Sequence, residues 1–402
     1  MEIFTNTKFD FVKWRHHVLA VTMLVIVAGL VWFATKGLNV GIDFSGGANV
    51  VLRFQGAVPI DNLRGALPAA TIQRYGRVED NSVLIRLPKQ EREGDYAGQV
   101  VQSLHARLNP EAGDKLDLNY QGRAAIAELL KSEDPDKRGT TAAAHDYYYE
   151  VAQAIISKRS ELGLFEGYAE VTSTQGVTAA TSQVLAANTF LGKFNVLNQE
   201  TVGPQVGREL QRKATWAILL STLAMGIYIA IRFDLRFGVA AIVSLAHDVL
   251  FTFAILALVG AEFSLITVAA FLMVIGYSIN DTVVIYDRVR ENMKKAKARE
   301  NFVDLLNRSL NQTLSRTILT GGSVLLILLS LMFFGGEVIH DFALLLFVGV
   351  IIGTISTLWI VPAFVLAWNR WIPSAQSSGA RRVESPRAEA AVLDAKARRA
   401  KG

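Results

Sequence analysis

The chain has 402 residues, 51% hydrophobic and 19% charged, with a mean hydropathy of +0.29. That is too apolar for an ordinary soluble domain and too charged for a chain lying wholly in a bilayer, so membrane spans plus one sizeable polar domain are expected. The absence of cysteine excludes disulfides, thiolate metal sites and cysteine nucleophiles, and the basic residues crowd beside apolar runs, which suits membrane orientation better than nucleic acid.

Residues 1–17 carry Lys8, Lys13 and Arg15 and precede an apolar run over 18–35. No small-residue cleavage pattern precedes Lys36, so 18–36 reads as an uncleaved first span with the amino terminus cytoplasmic. The polar stretch 37–213 opens on Val40-Gly-Ile-Asp-Phe-Ser-Gly-Gly-Ala48, where Gly41, Gly46 and Gly47 flank Asp43. These glycines suit a tight turn or a strand passing close to another backbone. A phosphate-cradling loop is the alternative, but no Gly-Lys-Ser/Thr follows and the stretch does not read as leading into a helix. Residue patterning predicts strands at 49–54, 71–75 and 82–87, helices at 60–67 and 96–108, and a last strand at 194–199. The order βαββαβ is that of a ferredoxin-like unit.

An insertion over about 110–192 separates the second helix from the last strand and is predicted to hold two or three helices, including 124–130 and 145–156. Within it, Tyr147, Tyr148 and Tyr149 either offer an aromatic surface to an unfolded polypeptide or pack inside the insertion, the latter being expected. No nucleophile motif is present, and His105 and His145 lack metal-ligand spacing, so neither an enzyme nor a cofactor is expected. Gly203-Pro204 marks a turn, and 205–212 starts a helix that continues into the bilayer.

Five further spans are predicted at 214–231, 237–259, 263–286, 318–334 and 342–368, followed by a tail, 373–402, that reads as disordered. The joints at 232–236 and 288–316 are basic, whereas 260–262 and 335–340 contain no Lys or Arg. This alternation puts both termini in the cytoplasm and the large domain outside it. In the second basic joint, Lys294, Lys295, Lys297 and Arg299 are expected to face anionic lipid. The spacing of Phe302, Leu306, Leu310 and Leu314 predicts an amphipathic helix on the inner surface. Gly276, Gly321 and Gly322 are expected at close helix contacts. The fold class is thus an α-helical membrane protein with six transmembrane helices plus an α+β ferredoxin-like extracytoplasmic domain carrying a helical insertion.

The fourth predicted span carries Asn280 and Asp281 before its apolarity resumes. An ionised Asp near a helix centre costs about 2.5–3.5 kcal/mol on insertion scales, which favours an ion or proton site or a buried pair. The competing reading places Asp281 in the headgroup zone, since Asp287 follows only about 9 Å further along the helix. On the third span, His247 and Asp248 fall near mid-bilayer with Ser244 one turn earlier, as either a relay or interhelical glue.

Three motifs carry a family resemblance. Gly41-Ile-Asp-Phe-Ser-Gly-Gly47, Glu200-Thr-Val-Gly-Pro-Gln-Val-Gly207, and Ile275-Gly-Tyr-Ser-Ile-Asn-Asp281 with Asp287-Arg-Val-Arg-Glu-Asn292 resemble the SecF subunits of the bacterial protein-export accessory complex, within the resistance-nodulation-division class. The resemblance covers about 10–109 and 193–372; the insertion and the tail depart from the family pattern. It implies work beside the SecYEG channel with SecD and YajC, drawing unfolded preprotein across the inner membrane with the proton gradient. It also implies that Asp281 carries the proton with Arg316 as its partner. An arginine nearby favours the charged carboxylate and desolvation the neutral acid, so such a group switches when geometry changes. A proton-driven exporter of small molecules or lipids, and a membrane scaffold in which Asp281 and Arg316 form a structural pair, are the alternatives.

Overall fold

The computed structural model describes residues 7–371 except 90–94, 112, 140 and 297–299. The tail, Lys297 and Arg299 therefore lie outside the described residues. The chain forms two compact units, 40–212 and the remainder.

Helix α1, Phe11–Lys36, begins where the Asp10 side chain accepts from the backbone N–H of Lys13 at 3.0 Å, satisfying one of the open donors of the first turn.

Within unit 40–212 a single helical turn, α2 (Ile42–Ser45), precedes strand β1 (Gly47–Phe54). The motif expected not to lead into a helix therefore contains one short turn of it. Then come α3 (Ile60–Ala66), β2 (Thr71–Tyr75), β3 (Ser82–Leu87) and α4 (Tyr96–Leu108). The insertion holds β4 (Leu116–Asp117), α5 (Arg123–Glu133), α6 (Ala142–Leu162), α7 (Tyr168–Thr172), α8 (Ala179–Asn188) and β5 (Thr189–Phe190), and β6 (Phe194–Val202) closes the order. The main sheet runs β2-β3-β1-β6 with every pairing antiparallel. That is the ferredoxin-like arrangement, in which the two βαβ halves interlock. Its core is Ala48, Val50, Leu52 and Phe54 of β1 packed with Val83, Ile85 and the Val100, Val101, Leu104 face of α4.

Among the described residues the insertion has four helices rather than two or three, plus a parallel pairing of β4 with β5. Its own core includes Tyr148, fully buried, whose hydroxyl donates to Asp134 at 2.7 Å and accepts from the N–H of Asp136 at 3.1 Å. Tyr147 and Tyr149 lie under the guanidinium groups of Arg138 and Arg123. All three rings are thus engaged within the insertion, and the hydroxyls of Tyr147 and Tyr148 find partners there, Tyr147 on Asp136 at 3.2 Å. Asp117 ties this layer to α4: it accepts from the N–H groups of Asn119 and Gly192 at 2.8 Å each and meets His105 Nε2 at 2.7 Å.

Only two of the three motif glycines adopt the left-handed region, Gly46 at φ +72 and Gly47 at φ +127; Gly41 has ordinary extended geometry at φ −67. A β-carbon on Gly46 would stand 3.1 Å from Pro204 Cα, and one on Gly47 would strike the Leu87 carbonyl. Gly203-Pro204 is a helix start rather than a free turn. Pro204 opens α9 (Pro204–Arg232), and the N–H of Gly207 reaches the Gly203 carbonyl at 3.0 Å, which suits proline's missing donor and fixed φ.

The other unit gathers α1 with the membrane portion of α9, α10 (Leu235–Val259), α11 (Leu265–Lys295), α12 (Phe302–Phe334), and a sixth stretch made of α13 (Gly336–Ile355), a π-turn (Ser356–Ile360) and α14 (Val361–Trp371). Six of these stretches are long and apolar enough to cross a membrane. The π-turn sits just before Pro362, whose ring cannot donate to and would clash with the carbonyl four residues earlier, so the helix widens there. The predicted surface helix before the fifth span is instead the first half of the unbroken α12. Leu305, Leu306, Leu310 and Leu314 face the bundle core with Phe11 and Val12, and Asn307 and Asn311 bind the backbone of residues 9 and 12. The periodicity was amphipathic because that face meets protein, not lipid. Of the three glycines expected at helix contacts, Gly276 and Gly322 face open space; Gly321 alone would bring a β-carbon near a neighbour, 3.1 Å from Tyr277 Oη.

Candidate functional site

Polar side chains from several apolar helices converge inside the bundle. α10 supplies His247 and Asp248, α11 supplies Ser278, Asp281 and Thr282, and the π-turn supplies Ser356 and Thr357, every one of them buried. Ser278, Asp281 and Thr282 fall at i, i+3 and i+4, which sets them on one flank of α11. Thr282 and Thr357 hydroxyls lie 3.2 Å apart, linking α11 to the π-turn.

Asp248 is saturated. Its Oδ2 accepts from Ser278 Oγ at 2.7 Å and Ser356 Oγ at 2.8 Å, and its Oδ1 lies 3.2 Å from His247 Nδ1. The other ring nitrogen of His247 is 2.9 Å from Thr22 Oγ1 on α1. The Thr22 hydroxyl also lies 3.2 Å from the Leu19 carbonyl of its own helix, so it bridges the α1 backbone to the imidazole. The Nδ1–Oδ1 contact closes with one proton between ring and carboxyl. One buried acid so joins α1, α10, α11 and the sixth span, and its hydrogen bonds offset a desolvation cost of several kcal/mol.

Asp281 is the opposite case. It is 3% exposed, and its Oδ2 has no hydrogen-bond partner among the described residues. Arg316 of α12 acts on it electrostatically without an ion pair inside 4.0 Å among the described residues, and Arg316 itself is exposed. Tyr277, one turn earlier on α11, is also within electrostatic range of Asp281. A buried carboxyl with an unmet oxygen and a cation that does not close on it is a group whose charge depends on small changes of geometry.

The structure therefore brings Asp248 and His247 together, sets Asp281 on the same flank of α11 as Asp248's partner Ser278, and leaves Arg316 acting on Asp281 through its charge alone. It does not bring Asn280 to them: that side chain is exposed, off this flank. Ser244 is buried, its hydroxyl has no partner among the described residues, and it takes no part in the Asp248 network. Sequence reading missed Ser278, Ser356, Thr22 and Tyr277. A signal existed on α11, where Tyr277, Ser278, Asp281 and Thr282 repeat at helical spacing in an apolar run. None existed for Thr22, since a hydroxyl in a span commonly bonds its own helix backbone.

Comparison with known proteins gives a consistent result. The family model described as "Protein export membrane protein SecD/SecF, C-terminal" matches residues 182–371, and "SecD/SecF GG Motif" matches 31–58. The chain is 37% identical to the Protein translocase subunit SecF of Koribacter versatilis, over 92% of this chain and 94% of that one. It is 34% identical to the same subunit of Desulfurispirillum indicum, over 89% and 91%. The crystal structure of SecDF from Thermus thermophilus, described as a translocon-associated membrane protein, superposes with a TM-score of 0.63 at 31% identity, covering 92% of this chain and 40% of the longer SecDF chain.

Proposed function

Starting from the fact that the chain belongs to the SecF family of protein translocase subunits, we propose that it works with SecD and the SecYEG channel to promote preprotein export across the inner membrane, driven by the proton gradient. The relatives support a role in protein translocation, and the buried Asp281 supports the coupling to protons. SecD as its partner is supported by the Thermus SecDF relative, a protein named for both subunits of which the region similar to this chain makes up 39%. SecYEG and YajC enter through the family resemblance. In this reading both termini are cytoplasmic and residues 37–213 lie outside, as the charge of the joints favours.

Asp281 carries the reading. A carboxyl left with an unmet oxygen in a bilayer-spanning helix is expensive, and the cost is reduced whenever a proton binds or Arg316 closes on it. Alternation between those two states is what a proton-driven cycle requires. Asp248, by contrast, holds helices together through Ser278, Ser356 and His247. The scaffold alternative predicts that Asp281 matters only as half of an ion pair. Both are tested by export of a preprotein into inverted membrane vesicles with and without a proton gradient. Asp281→Asn is expected to abolish the gradient-dependent part and leave the gradient-independent part. Under the scaffold alternative, Asp281→Leu with Arg316→Leu would restore wild-type export.

A further inference from the structure

Where α9 ends and α10 begins, the connecting turn and the last turns of α11 enclose a crevice of about 270 Å³. Its rim is cationic. Arg236 projects from the first turn of α10, and Arg290 and Lys294 from α11, the last two four residues apart and so on one face. Neighbouring cations on the same helix are committed elsewhere: Arg288 and Lys295 bind Glu291 at 2.5 and 2.6 Å. Arg290 and Lys294 form no ion pair among the described residues and are exposed. The one carboxylate in the lining, Asp234, is occupied at the head of α10, 3.4 Å from the Arg236 N–H and 3.4 Å from Arg236 Nε.

The floor is apolar and aromatic. Phe233 and Phe237 pack on the buried Tyr286 ring with centroids 5.9 and 4.6 Å away, and the Tyr286 hydroxyl donates to the Phe237 carbonyl at 3.2 Å. Arg236 is fixed over this floor, 4.9 Å from the Phe237 ring centroid and 4.0 Å from Met293 Sδ. Cations above an aromatic floor, at the level where helix ends meet headgroups, make a site for a phosphate that carries an apolar body.

We propose that this crevice binds the headgroup of an anionic phospholipid, with the phosphodiester among Arg236, Arg290 and Lys294 and the glycerol and first methylenes over Phe233 and Phe237. A free phosphate would use the cations and leave the aromatic floor unused. The volume suits a headgroup rather than a whole lipid. This site is independent of the proton chemistry at Asp281, although α11 carries both.

The test is native mass spectrometry of the full chain in neutral detergent, titrated with dioleoyl phosphatidylglycerol, with dioleoyl phosphatidylcholine, or with inorganic phosphate. Wild type is expected to retain one phosphatidylglycerol in preference to phosphatidylcholine. Arg290→Gln/Lys294→Gln is expected to weaken that retention about ten-fold or more. Lys13→Gln/Lys295→Gln, which removes equal charge off the crevice, is expected to keep it. Equal loss in both double variants would reduce the effect to general surface potential and overturn the proposal. So would equal retention of the two lipids, or displacement of phosphatidylglycerol by inorganic phosphate at equal concentration.

Discussion

Within one bundle interior, two aspartates a helix apart meet opposite surroundings. Asp248 receives two serine hydroxyls and an imidazole, whereas Asp281 keeps an oxygen with no partner among the described residues. Removing a donor from the first should cost stability, and removing the charge from the second should not. Ser278→Ala and Ser356→Ala are each expected to destabilise the chain by about 1–3 kcal/mol, read as a lower thermal midpoint in detergent. Asp281→Asn is expected to leave that midpoint unchanged or raise it, because an amide avoids the cost of an unpaired buried charge. The sequence displayed both acids, and the price of a carboxylate in an apolar helix singled them out. It could not reveal which was saturated, since the deciding hydroxyls, Ser356 and Thr22, lie 108 and 225 residues from their partners.

The elements were legible wherever local pattern and burial agree. Strands β2 and β3 and helix α4 fall on the predicted bounds because each has one face in a core. The two-residue strands β4 and β5 carry no periodicity to read, and α12 misled because an apolar stripe looks alike whether lipid or protein covers it. The π-turn had only Pro362 to announce it. At this scale Gly47→Ala is the sharpest backbone test: φ of +127 and the Leu87 carbonyl both oppose a β-carbon. It should destabilise the unit 40–212 by at least about 1–3 kcal/mol, seen as faster hydrogen exchange along β1 and β3. In the insertion, burial and the hydrogen bond to Asp134 push the Tyr148 hydroxyl up to about 12 from 10.0. The folded chain holds that proton after the unfolded chain has lost it. The contribution is therefore complete below pH 10 and disappears as pH rises toward 12. Tyr148→Phe should remove this alkaline loss from the pH dependence of unfolding, while lowering stability at neutral pH.

For the molecule as a whole, α9 is the segment shared by the two units, running without a break from Pro204 to Arg232. A proton crossing 100 mV releases about 2.3 kcal/mol, little beside the stability of a domain. Such a quantity suits a ratchet that captures forward movement of a polypeptide better than forced unfolding. If α9 transmits it, insertion of two glycines after Lys213 should abolish gradient-dependent export while proton exchange at Asp281 continues, with export and proton exchange measured on the same vesicles.

The most direct measurement is infrared difference spectroscopy of the chain with SecD in proteoliposomes, recorded as a proton gradient is imposed and collapsed. The account predicts a reversible protonated-carboxyl band that Asp281→Asn eliminates and Asp248→Asn retains. A gradient response identical in wild type and Asp281→Asn would contradict it.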